Sequence, residues 1–314
     1  MYRPSPLSTY EHPLDVLTQI RQAADDGKPC ALAIVTQTEG GAVRAPGALM
    51  AILSETEAYG YVSGGCIDAD VRLNALAAMD DKAPRPLRYG IGSKFQDIQL
   101  PCGGAIDLLI LPQPDLTALD AIANHLRARK DAAVAIDAGG HLTLASQATK
   151  PLATYRPRLK LRIAGRGADC LALARLVEVS GFEAELCLVD ETDIAAARAA
   201  NLTHIAHLTS PADLPALTDD AATAFVLMFH DDGWETALLQ QALSGPAFYI
   251  GAVGSRKTHA RRSQKLLNSG VSRREINRIH GPIGLVPSLR DASMLAVSTL
   301  AEIVDVFHTG RMAS

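Results

Sequence analysis

Two cysteines stand against glycine pairs, in Val62-Ser63-Gly64-Gly65-Cys66 and in Leu100-Pro101-Cys102-Gly103-Gly104. Both fall in turns between apolar segments, where chemistry is commonly placed. Glycine lets a ligand approach the backbone closely. A thiol beside such a turn can act as a thiolate, a soft metal ligand or a sulfur carrier. Cys66 and Cys102 are therefore the candidate catalytic thiols. The competing reading of each is a small residue packed in a tight turn, because cysteine is among the most buried residue types. Cys66 precedes an expected helix over residues 67–79, whose first amides favour a thiolate and attract anions, while Asp68 and Asp70 add opposing charge. Cys102 has no such helix.

Further candidates surround these thiols. Arg44 lies in Glu39-Gly40-Gly41-Ala42-Val43-Arg44-Ala45-Pro46-Gly47, a loop that presents a guanidinium fork suited to phosphate or carboxylate. Gly64, Gly65, Gly103 and Gly104 complete the first-half set. In the second half, Gly165-Arg166-Gly167 follows an expected strand and opens a helix, as the turn of a dinucleotide fold does. Cys170 replaces the third glycine, and Asp190 closes the next strand where a ribose-binding acid would stand. His230-Asp231-Asp232 follows another strand. His230 can bind an anion or move a proton, or it is a surface histidine in an Asp-rich turn. Gly254-Ser255-Arg256-Lys257 combines a glycine turn, a hydroxyl and cations at a helix start, an anion site by composition. Arg261, Arg262 and Lys265 would extend its basic face, or simply be solvated there.

The elements that must position these residues change rhythm near residue 150. Before it, helices are expected over 13–26, 67–79 and 116–129, and strands over 31–36, 49–53, 58–63, 86–89 and 106–111. A hairpin over 132–144 turns at Gly139-Gly140. After it, strands and helices alternate, which implies a parallel sheet with right-handed crossovers. The expected fold is α/β. An N-terminal α/β domain with glycine-rich loops (residues 1–152) precedes a C-terminal Rossmann-like domain (residues 153–314). A length of 314 residues with 48% hydrophobic content supports two such cores.

Composition excludes several classes. A net charge of -4 offers no basic field for nucleic acid, and 4% aromatic residues offer no base-stacking platform. The longest uninterrupted apolar runs, such as 224–229, are too short to cross a bilayer. Met1-Tyr2-Arg3-Pro4-Ser5-Pro6 lacks the apolar core of a secretory signal, so a cytoplasmic location is expected. Five cysteines without regular spacing fit reduced thiols, with no disulfide framework or resident metal.

The ordered motifs are similar to those of a known family. Gly41-Ala42-Val43-Arg44-Ala45-Pro46-Gly47-Ala48-Leu49-Met50, Val62-Ser63-Gly64-Gly65-Cys66-Ile67-Asp68-Ala69-Asp70-Val71 and Cys102-Gly103-Gly104 resemble the XdhC/CoxI family, the xanthine dehydrogenase accessory factors. Met228-Phe229-His230-Asp231, Tyr249-Ile250-Gly251-Ala252-Val253-Gly254-Ser255-Arg256, Gly281-Pro282-Ile283-Gly284-Leu285 and Ala296-Val297-Ser298-Thr299-Leu300-Ala301-Glu302-Ile303 agree in the second half. The resemblance implies a molybdenum cofactor chaperone. It would carry molybdopterin or its cytidine dinucleotide form while a cysteine desulfurase exchanges an oxo ligand for sulfide. It would then deliver the product to a molybdenum hydroxylase, and a homodimer is expected. The pterin phosphate would dock on Arg44, Gly64, Gly65 or Arg256, with Cys66 or Cys102 at the molybdenum end. The residues also leave open an NAD(P)-dependent oxidoreductase using Gly165, Gly167, Asp190 and His230. The chain departs from the family pattern at Ala168, at Glu191-Thr192, at Phe229 and at Val286-Pro287-Ser288, all in the second half.

Overall fold

Ala31-Leu32-Ala33-Ile34-Val35 is apolar at every position because the strand it forms is covered on both faces. Leu32 and Ile34 join one buried cluster and Ala31, Ala33 and Val35 another. The computed structural model describes residues 11–41, 44–93, 103–147, 149–229 and 231–312, the side chains of residues 232, 311 and 312 excepted. The chain divides into two compact units, Met1–Pro157 and Arg158–Ser314.

In the first unit, α1 (Pro13–Asp25), β1 (Ala31–Glu39), β2 (Leu49–Ile52), β3 (Ala58–Gly60), α2 (Asp68–Asp81), β4 (Arg85–Gly90), β5 (Ala105–Pro112) and α3 (Leu116–Arg127) come first. Strands β6 (Ala132–Ile136), β7 (Leu142–Leu144) and β8 (Ala153–Tyr155) follow. A five-stranded sheet runs β3-β2-β1-β5-β4, with every neighbouring pair antiparallel. Helices α1 and α3 cover one face through Val16, Leu17, Ile20, Leu119 and Ile122. Helix α2 covers the other through Val71, Ala75 and Ala78. The expected hairpin is β6 and β7, and β8 pairs with β6 on its other side. Residues 153–155 therefore stay with the first unit.

The second unit contains β9 (Lys160–Gly165), α4 (Gly167–Val179), β10 (Glu183–Leu188), α5 (Glu191–Ala199), β11 (Ile205–His207), β12 (Thr223–Met228) and α6 (Asp232–Ser244). It ends with β13 (Tyr249–Ala252), α7 (Arg256–Asn268), α8 (Arg273–Ile276), β14 (Ile279–His280) and α9 (Ala292–Met312). Its parallel six-stranded sheet has the order β11-β10-β9-β12-β13-β14. This is the doubly wound order of dinucleotide-binding folds, with the switch point between β9 and β12. Helices α4, α5 and α9 pack on one face of the sheet, and α6 and α7 on the other. By length and composition α9 is long and apolar enough to cross a bilayer, a point that counting uninterrupted apolar runs misses. It places Ala296, Leu300 and Ile303 in the core of this unit.

Candidate functional site

Antiparallel pairing sends the glycine-rich segments of the first unit to one end of its sheet. Glu39 at the end of β1 pairs with Ala105 at the start of β5, and Gly90 at the end of β4 pairs with that same residue. Gly60, which ends β3, lies beside Met50 near the start of β2. Residues 40–41, 44–48, 61–67, 91–93 and 103–104 follow or precede the strands at this end. The segment carrying Gly103 and Gly104 thus shares a rim with Gly64, Gly65 and Cys66. Cys102 itself lies outside the described residues.

The rim is packed too tightly for side chains at its root. A Cβ on Gly104 would lie 2.3 Å from the Glu39 carbonyl oxygen, and one on Gly90 would lie 2.1 Å from the Gly104 carbonyl oxygen. Gly40 closes the same seam, its missing Cβ falling 3.2 Å from the Gly104 Cα. Arg88 ties the edge strand β4 inward here, pairing with Asp107 of β5 at 2.8 Å and Glu39 of the central β1 at 2.9 Å.

The Cys66 loop is held from within. Asp68 Oδ1 accepts the Val62 and Ser63 N–H groups at 3.2 and 3.0 Å and the Ser63 hydroxyl at 3.1 Å. Ser63 Oγ in turn accepts the N–H groups of Gly65 and Ile67 at 3.1 and 3.3 Å. The Gly65 amide is thereby engaged inside the loop. Burial pushes the Asp68 carboxyl above its ordinary value, against the pull of these donors. Asp70 accepts the buried Tyr89 hydroxyl at 2.5 Å, which ties the first turn of α2 to β4. Both acids are thus taken up by structural bonds, a role that a reading by charge alone misses.

Among the described cysteines Cys66 is exposed, whereas Cys30, Cys170 and Cys187 are buried. Burial pushes the Cys170 thiol up to about 12, helped by Asp169 and Asp193, and raises Cys187 to about 11. These buried thiols are held in the inert protonated form. Arg44 stands beside the Cys66 loop, its guanidinium over the Tyr61 ring. Tyr61 and Glu11, whose carboxylate accepts the Tyr61 hydroxyl, were not singled out by the sequence. A lone tyrosine in a turn carries no signal.

In the second unit, Gly165, Gly167, Asp190 and the Gly254-Ser255-Arg256 turn gather at the carboxyl edge of the parallel sheet, which faces the crevice in this fold. His230 lies outside the described residues. Cys170 replaces the third glycine by packing where Gly165 has no side chain, and a Cβ there would lie 2.5 Å from Cys170 Sγ. Arg166 pairs with Asp190 at 3.2 Å and lies over the Phe229 ring at 5.6 Å. Ser255 caps α7, its Oγ accepting the Thr258 N–H at 3.1 Å. Asp231 caps α6 by accepting the Gly233 and Trp234 N–H groups at 3.0 and 3.3 Å. The expected basic face of α7 needs one correction. Arg262 is buried, pairing with Glu235 at 2.9 Å and donating to the Val253 carbonyl at 2.9 Å. Core packing of α7 on α6 turns that guanidinium inward.

A glycine-rich antiparallel unit carrying the exposed Cys66, followed by a doubly wound unit, defines a two-part α/β class. The chain belongs to the XdhC/CoxI family: residues 23–90 match the XdhC and CoxI family and residues 161–303 match the XdhC Rossmann domain. It is 35% identical over 293 residues to the molybdenum cofactor insertion chaperone PaoD of Escherichia coli K12, covering 91% of this chain and 86% of that protein. It is 21% identical to YqeB of the same organism, covering 93% of this chain and 46% of YqeB. A crystal structure from Bacillus halodurans, described as a xanthine dehydrogenase, superposes with a TM-score of 0.76 at 20% identity. That superposition covers 95% of this chain and 96% of the other, and shows the fold.

Proposed function

We propose that this protein carries the molybdenum cofactor and inserts it into a molybdenum hydroxylase of the xanthine dehydrogenase or aldehyde oxidase type. The observation that carries this reading is the 35% identity, along nearly the whole chain, to a protein named as a molybdenum cofactor insertion chaperone. The first unit supports it locally. Arg44 and the exposed Cys66 share one sheet end with Gly103 and Gly104. The guanidinium suits the terminal phosphate of the cargo, and a soft thiol suits its molybdenum or a labile sulfide. The cargo is molybdopterin or its cytidine dinucleotide form. A cysteine desulfurase would exchange an oxo ligand for sulfide while the cargo is held.

The test is cofactor retention. Wild type, Cys66→Ala and Cys102→Ala would be purified from cofactor-replete cells and assayed for bound pterin, for molybdenum and for activation of an apo-hydroxylase. The reading expects wild type to retain cofactor and Cys66→Ala to lose activation of the target. Unchanged retention and activation in both variants would remove the thiols from the proposal. Absence of cofactor from wild type would remove the carrier role. An NAD(P)-dependent oxidoreductase is the second reading, and the state of the Gly167 amide weighs against it.

A further inference from the structure

We propose that Asp193 is a built-in stand-in for phosphate that sets the ligand selectivity of the Rossmann crevice. In dinucleotide-binding folds the amides at the first glycine turn receive a diphosphate. Here the Gly167 N–H donates to Asp193 Oδ2 at 2.7 Å. The carboxylate belongs to the first turn of α5 and reaches across from the neighbouring strand-helix connection. Among the described residues the Cα side of the turn is open, with nothing within 4 Å of where a Gly167 Cβ would stand, whereas the anion position at the amide is occupied. It is filled electrostatically, by a negative group the chain supplies itself.

The surroundings reinforce this. Asp169, in the first turn of α4, adds a second acid close to the glycine turn that Asp193 already meets. Arg166, the cation between the glycines, is drawn aside to Asp190 and the Phe229 ring. A diphosphate arriving at Gly167 would have to displace one carboxylate, approach another and recruit an arginine already paired. The crevice is thus set against any ligand that must seat a diphosphate there, whether it carries nicotinamide or a pterin. Removing the Asp193 carboxylate turns the same backbone into a diphosphate site. This inference does not rest on the carrier reading of the first unit.

The single tryptophan, Trp234, provides the readout. It stacks on Phe229 at 5.8 Å with the planes 8° apart, and Arg166 lies over that same Phe229 ring. ADP and inorganic pyrophosphate would be titrated into the full-length protein, following Trp234 fluorescence and the heat of binding. The variants are Asp193→Ala, Asp193→Asn and Asp190→Ala, with circular dichroism to check folding. Asp193→Ala is expected to bind ADP at least tenfold more tightly than wild type. Asp193→Asn should show a smaller gain, since its amide oxygen still accepts the Gly167 N–H, and it carries the test if the alanine variant does not fold. Equal ADP affinity in wild type and the Asp193 variants would overturn the proposal. So would an equal gain in Asp190→Ala, which frees Arg166 but leaves Asp193 in place.

Discussion

The guanidinium of Arg44 lies over the ring of Tyr61, 4.4 Å from its centroid. Arg44 belongs to the loop after β1 and Tyr61 to the loop after β3, so the contact joins two segments that reach the same end of the sheet separately. The Tyr61 hydroxyl is occupied by the Glu11 carboxylate, and Arg44 Nη2 reaches the Glu11 carbonyl oxygen at 3.4 Å. Stacking itself takes up no in-plane donor, and apart from the Nη2 contact to Glu11 the fork is suited to an anion.

Substitutions at this pair should separate charge from orientation. Arg44→Ala is expected to weaken cofactor retention about tenfold or more, the loss of a charge-assisted contact. Arg44→Lys should recover only part of it, because an ammonium lacks the planar fork. Tyr61→Phe keeps the ring and should stay near wild type, whereas Tyr61→Leu should lose about 0.5–2 kcal/mol of binding. Affinity for added cofactor, measured by pterin fluorescence, checks the series. Equal binding by Arg44→Ala and wild type would exclude Arg44 from the cargo site.

The glycine seam makes a sharper structural prediction. In Gly104→Ala the new methyl would meet the Glu39 carbonyl oxygen at 2.3 Å, and that atom is backbone. Either β1 or β5 must shift, and both lead into rim segments. The expected cost is about 1–3 kcal/mol, with reactivity of Cys66 toward a maleimide altered alongside it. Gly140→Ala, at a position with positive φ but no neighbour within 4 Å among the described residues, should cost less and leave Cys66 unchanged. Thermal unfolding and thiol labelling of the two variants decide the matter.

Much of the frame was legible because it rests on short-range patterns. The apolar run from Ala31 to Val35 announces a doubly covered strand, and alternating strands and helices after residue 158 announce the parallel sheet. The site was legible only as residue types. Ser63 and Asp68 bond through atoms that spacing does not orient, so Asp68 reads as a charge near Cys66 when it is an acceptor for the loop. Arg262 reads as one more surface cation, since a buried arginine is visible only once its partner Glu235, on another helix, is placed. Asp193 resembles any acid in a first helical turn. Its partner Gly167 is on a different helix, and no local rule joins them.

Beneath the crevice, Arg162 and Asp219 form a buried ion pair, 4% and 0% exposed, at 2.7 Å. The guanidinium also lies 4.3 Å from the Phe225 ring centroid. Removing one partner strands a buried charge, so Asp219→Ala should destabilise the second unit by about 3–5 kcal/mol. Replacing both, as Arg162→Met with Asp219→Leu, should cost far less because no charge is left unpaired. Urea unfolding followed by Trp234 fluorescence compares them. A double variant as unstable as Asp219→Ala would show that shape, not charge pairing, governs this position.

Acid should weaken the second unit through His259 before it reaches Glu302. Burial, and then the Arg262 guanidinium, hold the His259 imidazole below its ordinary value of 6.5. Its Nδ1 has no hydrogen-bond partner among the described residues and packs against Gly281, where a Cβ would lie 2.4 Å away. In the unfolded chain this ring takes up a proton as pH falls through about 6.5, while the folded protein resists. The unfolded state then binds more protons, so stability drops with falling pH from about 6.5 down to the folded value, by at most about 1.4 kcal/mol per pH unit. Glu302 acts in a lower window. Burial opposes its ionisation, but the hydrogen bonds from His280 and the Gly284 N–H prevail and hold it below its ordinary value of 4.5. Its contribution is present above 4.5 and is lost only as pH falls through the depressed folded value. Between pH 7.5 and 5, His259→Asn should therefore show a flatter stability profile than wild type, and Glu302→Gln should keep the wild-type slope at lower overall stability. Urea midpoints at half-unit pH steps measure both, and equal slopes for wild type and His259→Asn would remove His259 as the titrating group.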